Sequence, residues 1–95
     1  MEKILFLDPA VKEFELAIEY YNRQSEGLGF EFALEVKRTL ERIARYPLAW
    51  HPLSTNSRRC RIIRFPYAVV YSMREKKIIV IAIMHLHQKP RSWSL

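Results

Sequence analysis

The sequence predicts an α+β fold of order β-α-α-β-β-β, with a helical hairpin packed on one face of a small antiparallel sheet. Three observations predict it. A short apolar run, Lys3-Ile4-Leu5-Phe6-Leu7, stops at Asp8-Pro9. Two segments of helical hydrophobic period follow, broken only around Gly27 and Gly29. From Arg59 onward the chain reads as three strand-type runs joined by short polar turns. A chain of 95 residues has room for one hydrophobic core, so residues 1–95 are expected to form a single domain.

Residues 3–7 are short and apolar, as a strand requires. Asp8 then offers an N-cap acceptor, and the fixed φ of Pro9 suits the first helical position. Val11, Phe14, Ile18 and Tyr21 recur at helical spacing with Lys12, Glu13, Glu15 and Glu19 between them, and this helix is expected to end near 23–25. After the glycine break a second helix is expected from about Phe30 to Tyr46. Phe32, Val36, Leu40 and Ile43 form its buried stripe, Glu41 and Arg45 an outward i, i+4 pair, and Pro47 its stop. So short a connection makes the helices an antiparallel hairpin.

Residues 47–57, rich in Pro, Ser, Thr and Asn, read as a loop in which Trp50 is a packing anchor. Arg59–Phe65 and Tyr67–Met73 read as strands separated by Pro66. Arg74-Glu75-Lys76 is a tight turn, and Lys77–His85 is a strand apolar on both faces, expected at the centre of the sheet. Consecutive strands with short turns pair as a meander. The hairpin covers one face of it, leaving the other face or its concave end available.

Charge is unevenly placed. From Arg58 to Leu95 there are nine Lys/Arg against the single acid Glu75, whereas the first 57 residues hold seven basic and nine acidic residues. The net charge is +6, which suits a polyanion or an acidic protein segment. The lone Cys60 excludes an internal disulfide framework and fits a reducing compartment. No apolar run is long enough for a signal peptide or a membrane span, so a cytoplasmic protein without a membrane partner is expected.

Strand alternation puts Arg59 and Arg61 on one face with Ile63 and Phe65, and turns Arg64 the other way. Two guanidiniums about 7 Å apart match successive phosphates of a nucleic-acid strand. The alternative is an edge strand defended by charge against aggregation. His85 and His87 fall on one side of an extended chain, where an imidazole could do acid–base work. His85 could equally close the strand structurally by donating to a backbone carbonyl. A pair at i, i+2 lacks a third metal ligand, and neither metal nor cofactor is expected. Cys60 points away from its arginine neighbours and reads as an inert buried thiol. No Ser/His/Asp set, phosphate-cradling glycine loop or paired-carboxylate site can be assembled, and Asp8, the one Asp, is taken up as a cap.

The order of these features resembles the RelE/ParE superfamily of toxins from type II toxin–antitoxin (plasmid stabilisation) systems. The residues that carry the resemblance are Tyr20-Tyr21, Tyr46-Pro47, the arginine strand, Phe65-Pro66-Tyr67 with Tyr71, the Ile/Val strand, and His85 followed by Pro90 and Trp93. It covers nearly the whole chain. It implies a small growth-inhibiting toxin neutralised by a cognate antitoxin that presents an acidic or amphipathic segment. Its target is then DNA gyrase in a ParE-like member, or mRNA on the ribosome in a RelE-like endoribonuclease.

Position by position, the pattern favours the ParE-like branch. The basic pair of the first meander strand is matched by Arg59 and Arg61. The RelE-type arginine ahead of the strand tyrosine falls on Ala68, and the arginine after the last strand falls near Gln88, with Lys89 as its substitute. The C-terminal tyrosine region offers Trp93. Cleavage must activate a 2′-oxygen, stabilise the phosphorane charge and protonate the leaving oxygen, and Ala68 removes the second function. Were the chain a nuclease, the catalytic candidates are Arg59, Arg61, His85, His87 and Lys89. The target- or antitoxin-binding candidates are Arg59, Arg61, Arg64, Tyr67, His87, Lys89, Arg91 and Trp93. A degenerate, non-toxic family member is the remaining alternative.

Overall fold

The computed structural model describes residues 3–87. The elements run β1 (Lys3–Phe6), α1 (Asp8–Gln24), α2 (Leu28–Arg45), β2 (His51–Pro52), β3 (Arg58–Arg61), β4 (Tyr67–Arg74) and β5 (Lys77–His85). The expected α+β order is present, with one strand more. The sheet is five-stranded in the order β1-β5-β4-β3-β2, and it is mixed rather than antiparallel, because β1 pairs in parallel with β5. β4 occupies the centre, and the doubly apolar β5, expected there, lies one place over, kept off the edge by its pairing with β1.

The N-cap of α1 lies one residue earlier than expected. The carbonyl of Leu7 accepts from the N–H groups of Ala10 (2.9 Å) and Val11 (3.1 Å), so Leu7 is the N-cap. Asp8 lies in the first turn and makes no capping bond there. Its carboxylate instead sits favourably at the positive end of the helix dipole. α2 starts at Leu28, since Gly27 has the left-handed φ of 83° that turns the chain back. Gly29 lies where the two helices meet closely, and its N–H donates to Asn22 Oδ1 (2.8 Å). Buried Phe32, Val36 and Ile43 keep the predicted stripe, to which α2 adds buried Glu35 and Thr39, while Leu40 is half-buried. The ion pair formed along α2 is Glu35–Arg38, at 2.9 Å.

The hairpin and the sheet enclose a core of Ala10, Ala17, Phe32, Val36, Ile43, Cys60, Ile62, Phe65, Val69, Tyr71, Ile78, Val80 and Ile83. Its aromatic part is a chain of edge contacts. Phe32 meets Phe65 at 5.1 Å and Tyr67 at 5.0 Å, and Tyr21 meets Phe65 at 4.9 Å. Such pairs each contribute roughly 0.5–1.5 kcal/mol beyond burial. The sheet face away from the helices is buried in its middle, while Leu5 at its β1 end stays 39% exposed. Ala68, Val70, Ile81, Ala82 and Met84 are buried there with Leu7, Leu53 and Leu86 against them.

Two irregularities govern which side chain faces where. Tyr71 pairs with Val80 and Val70 with Ala82, leaving Ile81 as an extra, unpaired residue on β5. Val80 and Ile83 therefore face the helices while the adjacent Ile81 and Ala82 both face away. β3 also ends four residues before the expected boundary, and residues 63–66 form a turn in which Arg64 takes φ 77°. Phe65 therefore drops into the helix-side core instead of sharing a face with Arg59 and Arg61. The stretch expected as a loop contributes β2, whose His51 and Pro52 pair with Arg59 and Arg58. Tyr71 anchors the same stretch by donating its hydroxyl to the Pro47 carbonyl. Where β1 has already turned into α1, the Ile83 N–H is met by Glu13 Oε1 at 3.0 Å, so a helix carboxylate replaces a missing strand partner.

Candidate functional site

The predicted site residues separate into three places. On β3, Cys60 and the following Ile62 point into the helix-side core, so Arg59 and Arg61 point away from the helices. Arg59 stands across from Val70 and Arg61 from Ala68, both fully buried. Among the described residues neither guanidinium has a carboxylate partner. Ala68, paired on its other side with Met84, lies in the apolar floor next to Arg61.

A second group gathers at the end of the sheet on the helix side. Tyr21 and Tyr67 rings lie 6.0 Å apart, Tyr67 meets His85 edge-on at 4.9 Å, and His85 lies 5.3 Å from His87. The exposed Tyr20 ring flanks Tyr21 at 5.1 Å. Burial is the main cause that pushes the Tyr21 phenol up to about 12, and burial likewise raises Tyr67. These phenols therefore hold their protons at neutral pH. At the strand end, His85 Nδ1 accepts from the His87 N–H at 3.2 Å. The two rings remain neighbours even though β5 ends at His85.

Arg64 belongs to neither group. It lies 2.8 Å from Glu31 and 4.0 Å from Glu35, and its guanidinium stands 5.5 Å from the Phe65 ring centre. This arginine, read from the sequence as a binding residue, clamps the β3–β4 turn to α2. Lys89, Arg91 and Trp93 lie outside the described residues.

Arg42, which the sequence did not bring forward, and Trp50, read from it as an anchor, stand at the open edge of β3. Arg42 of α2 donates from Nη2 to Thr39 Oγ1 (3.1 Å) and to the Arg61 carbonyl (3.2 Å). Trp50 packs on the core, as expected of an anchor, and Arg58 Nη1 holds its carbonyl at 2.8 Å. A helix arginine that reaches a strand nineteen residues away leaves no local signal. Cys60, between these arginines, is 2% exposed, and burial pushes its thiol up while Arg42 partly offsets the rise. It is an inert core residue. Among the described residues no group of three or more His, Cys, Asp or Glu is placed to hold a metal ion. Nor is any described helix long and apolar enough to cross a membrane.

The arrangement divides the chemistry. Groups suited to moving protons, Tyr67, His85 and His87, are clustered on the helix side, whereas the guanidiniums of Arg59 and Arg61, without a carboxylate partner among the described residues, lie beyond the sheet. The first can stack against a ring or exchange a proton; the second can meet an anion.

Comparison with known proteins gives the family. No curated protein matches the sequence. Among solved structures, a chain of the chromosomal ParDE TA system from P. aeruginosa is similar in fold. It superposes with a TM-score of 0.78 at 11% identity, over 92% of this chain and 98% of that one. Residues 4–90 match the profile of the family described as ParE toxin of type II toxin-antitoxin system, parDE. With the match extending from β1 past the end of β5, the chain belongs to the family of ParE toxins of type II toxin–antitoxin systems.

Proposed function

We propose that this chain inhibits growth by binding DNA gyrase, without hydrolytic chemistry of its own, and that an antitoxin with an acidic or amphipathic segment neutralises it. Family membership and the printed pairing of the similar fold with a ParDE system support the toxin–antitoxin half. One observation carries the non-hydrolytic half. Arg59 and Arg61 lie on the opposite side of the sheet from Tyr67 and His85, with a buried methyl group, Ala68, beside Arg61. A nuclease needs a proton donor, a proton acceptor and a cation around one phosphate. Here a single scissile phosphate cannot touch both described groups, whereas a protein or nucleoprotein surface can contact either one.

Purified chain added to gyrase and relaxed plasmid tests the reading. Loss of supercoiling is expected, with message left intact in a translation reaction. Normal supercoiling at excess chain, together with mRNA cut on ribosomes, would replace it with the endoribonuclease reading. Unimpeded growth on induction without an antitoxin would replace both with a non-toxic family member that retains only its binding surface.

A further inference from the structure

The side of the sheet away from the helices carries a row of cations that packing does not explain. Ile4 and Phe6 of β1, Met73 of β4 and Ile78 of β5 pack toward the helices. Alternation therefore turns Lys3, Arg74 and Lys77 outward. All three are exposed, and they stand in register on three neighbouring strands, Lys3 across from Lys77 and Lys77 across from Arg74. Strands lie only about 4.8 Å apart, and like charges directly opposite one another destabilise a sheet. None of the three has a carboxylate partner among the described residues. Apart from Glu75 in the β4–β5 turn, every described Asp and Glu lies on the helical hairpin. Arg59 and Arg61 face the same outer side. Arg61 stands across from Ala68, six residues before Arg74 on β4, so at about 3.3 Å per residue the cations mark out a track about 20 Å long.

We infer that this outer side of the sheet holds the backbone of duplex DNA. The track is longer than the major groove is wide, about 12 Å, so the row of Lys3, Lys77 and Arg74 meets one line of phosphates while Arg59 and Arg61 meet the other. The described Phe, Tyr and Trp residues lie on the helices, at the end of α2 or in the helix-side core, which leaves the outer side without a stacking platform for unpaired bases. A duplex, with its bases stacked inside, needs no such platform. The middle of that side is apolar, with Ala68, Val70 and Ala82 buried under Leu53 and Leu86, and offers no donor or acceptor to base edges. Binding there is of the phosphate backbone and without sequence preference. That the duplex is the segment held by gyrase rests on the proposed function; the charge arrangement does not.

The test follows the anisotropy of a fluorescein-labelled twenty-base-pair duplex titrated with the full chain at several salt concentrations. The triple variant Lys3→Gln, Arg74→Gln, Lys77→Gln is expected to bind about tenfold or more weakly and to flatten the salt slope by about 2–3, since each phosphate contact contributes about 0.9. The control Lys12→Gln, Arg23→Gln, Lys37→Gln removes the same charge from the exposed side of the helices and should change affinity by less than about twofold. Equal losses in the two triples overturn the inference, because net charge alone then accounts for binding. Tighter binding of oligothymidylate or of anionic phospholipid vesicles than of the duplex overturns it too. Relief of like charges should leave the urea midpoint of the outer triple at or above that of the parent chain, and a lower midpoint would make the row a structural element instead. Supercoiling is scored separately. Duplex binding by a chain that leaves gyrase unaffected keeps the outer face and removes the gyrase reading, while gyrase inhibition without duplex binding removes the inference alone.

Discussion

Replacing Gly29 by alanine should be the most damaging single-methyl change in the helical hairpin. A Cβ at Gly29 would stand 2.4 Å from the Ile18 carbonyl oxygen and 2.6 Å from Asn22 Cγ and Oδ1. Ordinary contact begins near 3.4 Å, so α1 and α2 must separate by about 1 Å, and the obstructing Ile18 atom is backbone that cannot rotate aside. Overpacking of this kind costs about 1–3 kcal/mol. Asn22 can swing away, but that removes the acceptor from the Gly29 N–H (2.8 Å), at roughly 0.5–1.5 kcal/mol. The sum is about 2–4 kcal/mol. Gly27→Ala is the control, because a Cβ there meets nothing within 4 Å and the sole penalty is its φ of +83°. A left-handed alanine costs about 1–2 kcal/mol, and the stiffer unfolded chain returns some of it, leaving about 1 kcal/mol. Urea unfolding followed by far-UV circular dichroism, with unchanged slope, measures both. Equal costs for the two variants would refute the close approach of the helices at Gly29.

Arg64→Ala should cost no more than about 1 kcal/mol, because both Arg64 and Glu31 are about half exposed and water screens the pair. Arg64→Gly should be the more stable of the two, since only glycine adopts φ 77° freely; the reverse order in urea would contradict a strained turn. Tyr71→Phe should cost about 1–2 kcal/mol by stranding the Pro47 carbonyl, read as a lower urea midpoint, with an unchanged midpoint as the adverse result. Stability should also fall at alkaline pH. Burial pushes the Tyr21 and Tyr71 phenols up to about 12 from an ordinary 10.0, so above pH 10 the unfolded chain sheds protons that the folded chain keeps. Their contribution is complete below about pH 10 and is lost as pH rises through about 12; Tyr71→Phe should flatten that decline, and a midpoint independent of pH from 9 to 12 would count against it.

Elements whose cause is local were legible in the sequence. Both helices, the Arg74–Lys76 turn and the bounds of β5 follow from periodicity, glycine placement and apolar runs. The parallel partnership of β1 with β5 was not, because it joins residues more than seventy positions apart and leaves no mark on either strand alone. β2 escaped notice for a related reason: a two-residue strand ending in proline has no period to read. The candidate site was legible as residue types but not as an assembly. Arg59 and Arg61 share a face as alternation requires, yet Arg64 is drawn into ion pairs with Glu31 and Glu35 on another element. The contribution of Arg42 depends on where α2 lies against β3, which no short stretch of sequence encodes.

The extra residue at Ile81 acts as a phase corrector for the end of β5. Val80 faces the helices, Ile81 and Ala82 both face away, and Ile83 faces the helices again. The bulge thus absorbs one residue, and His85 arrives beside Tyr67 just as it would on a regular strand one residue shorter. Were the same residues paired without a bulge, strict alternation from Val80 would turn His85 to the outer side, in company with Arg59 and Arg61. How the strand accommodates a single residue therefore decides whether imidazole and guanidinium share a surface, with no new functional side chain required.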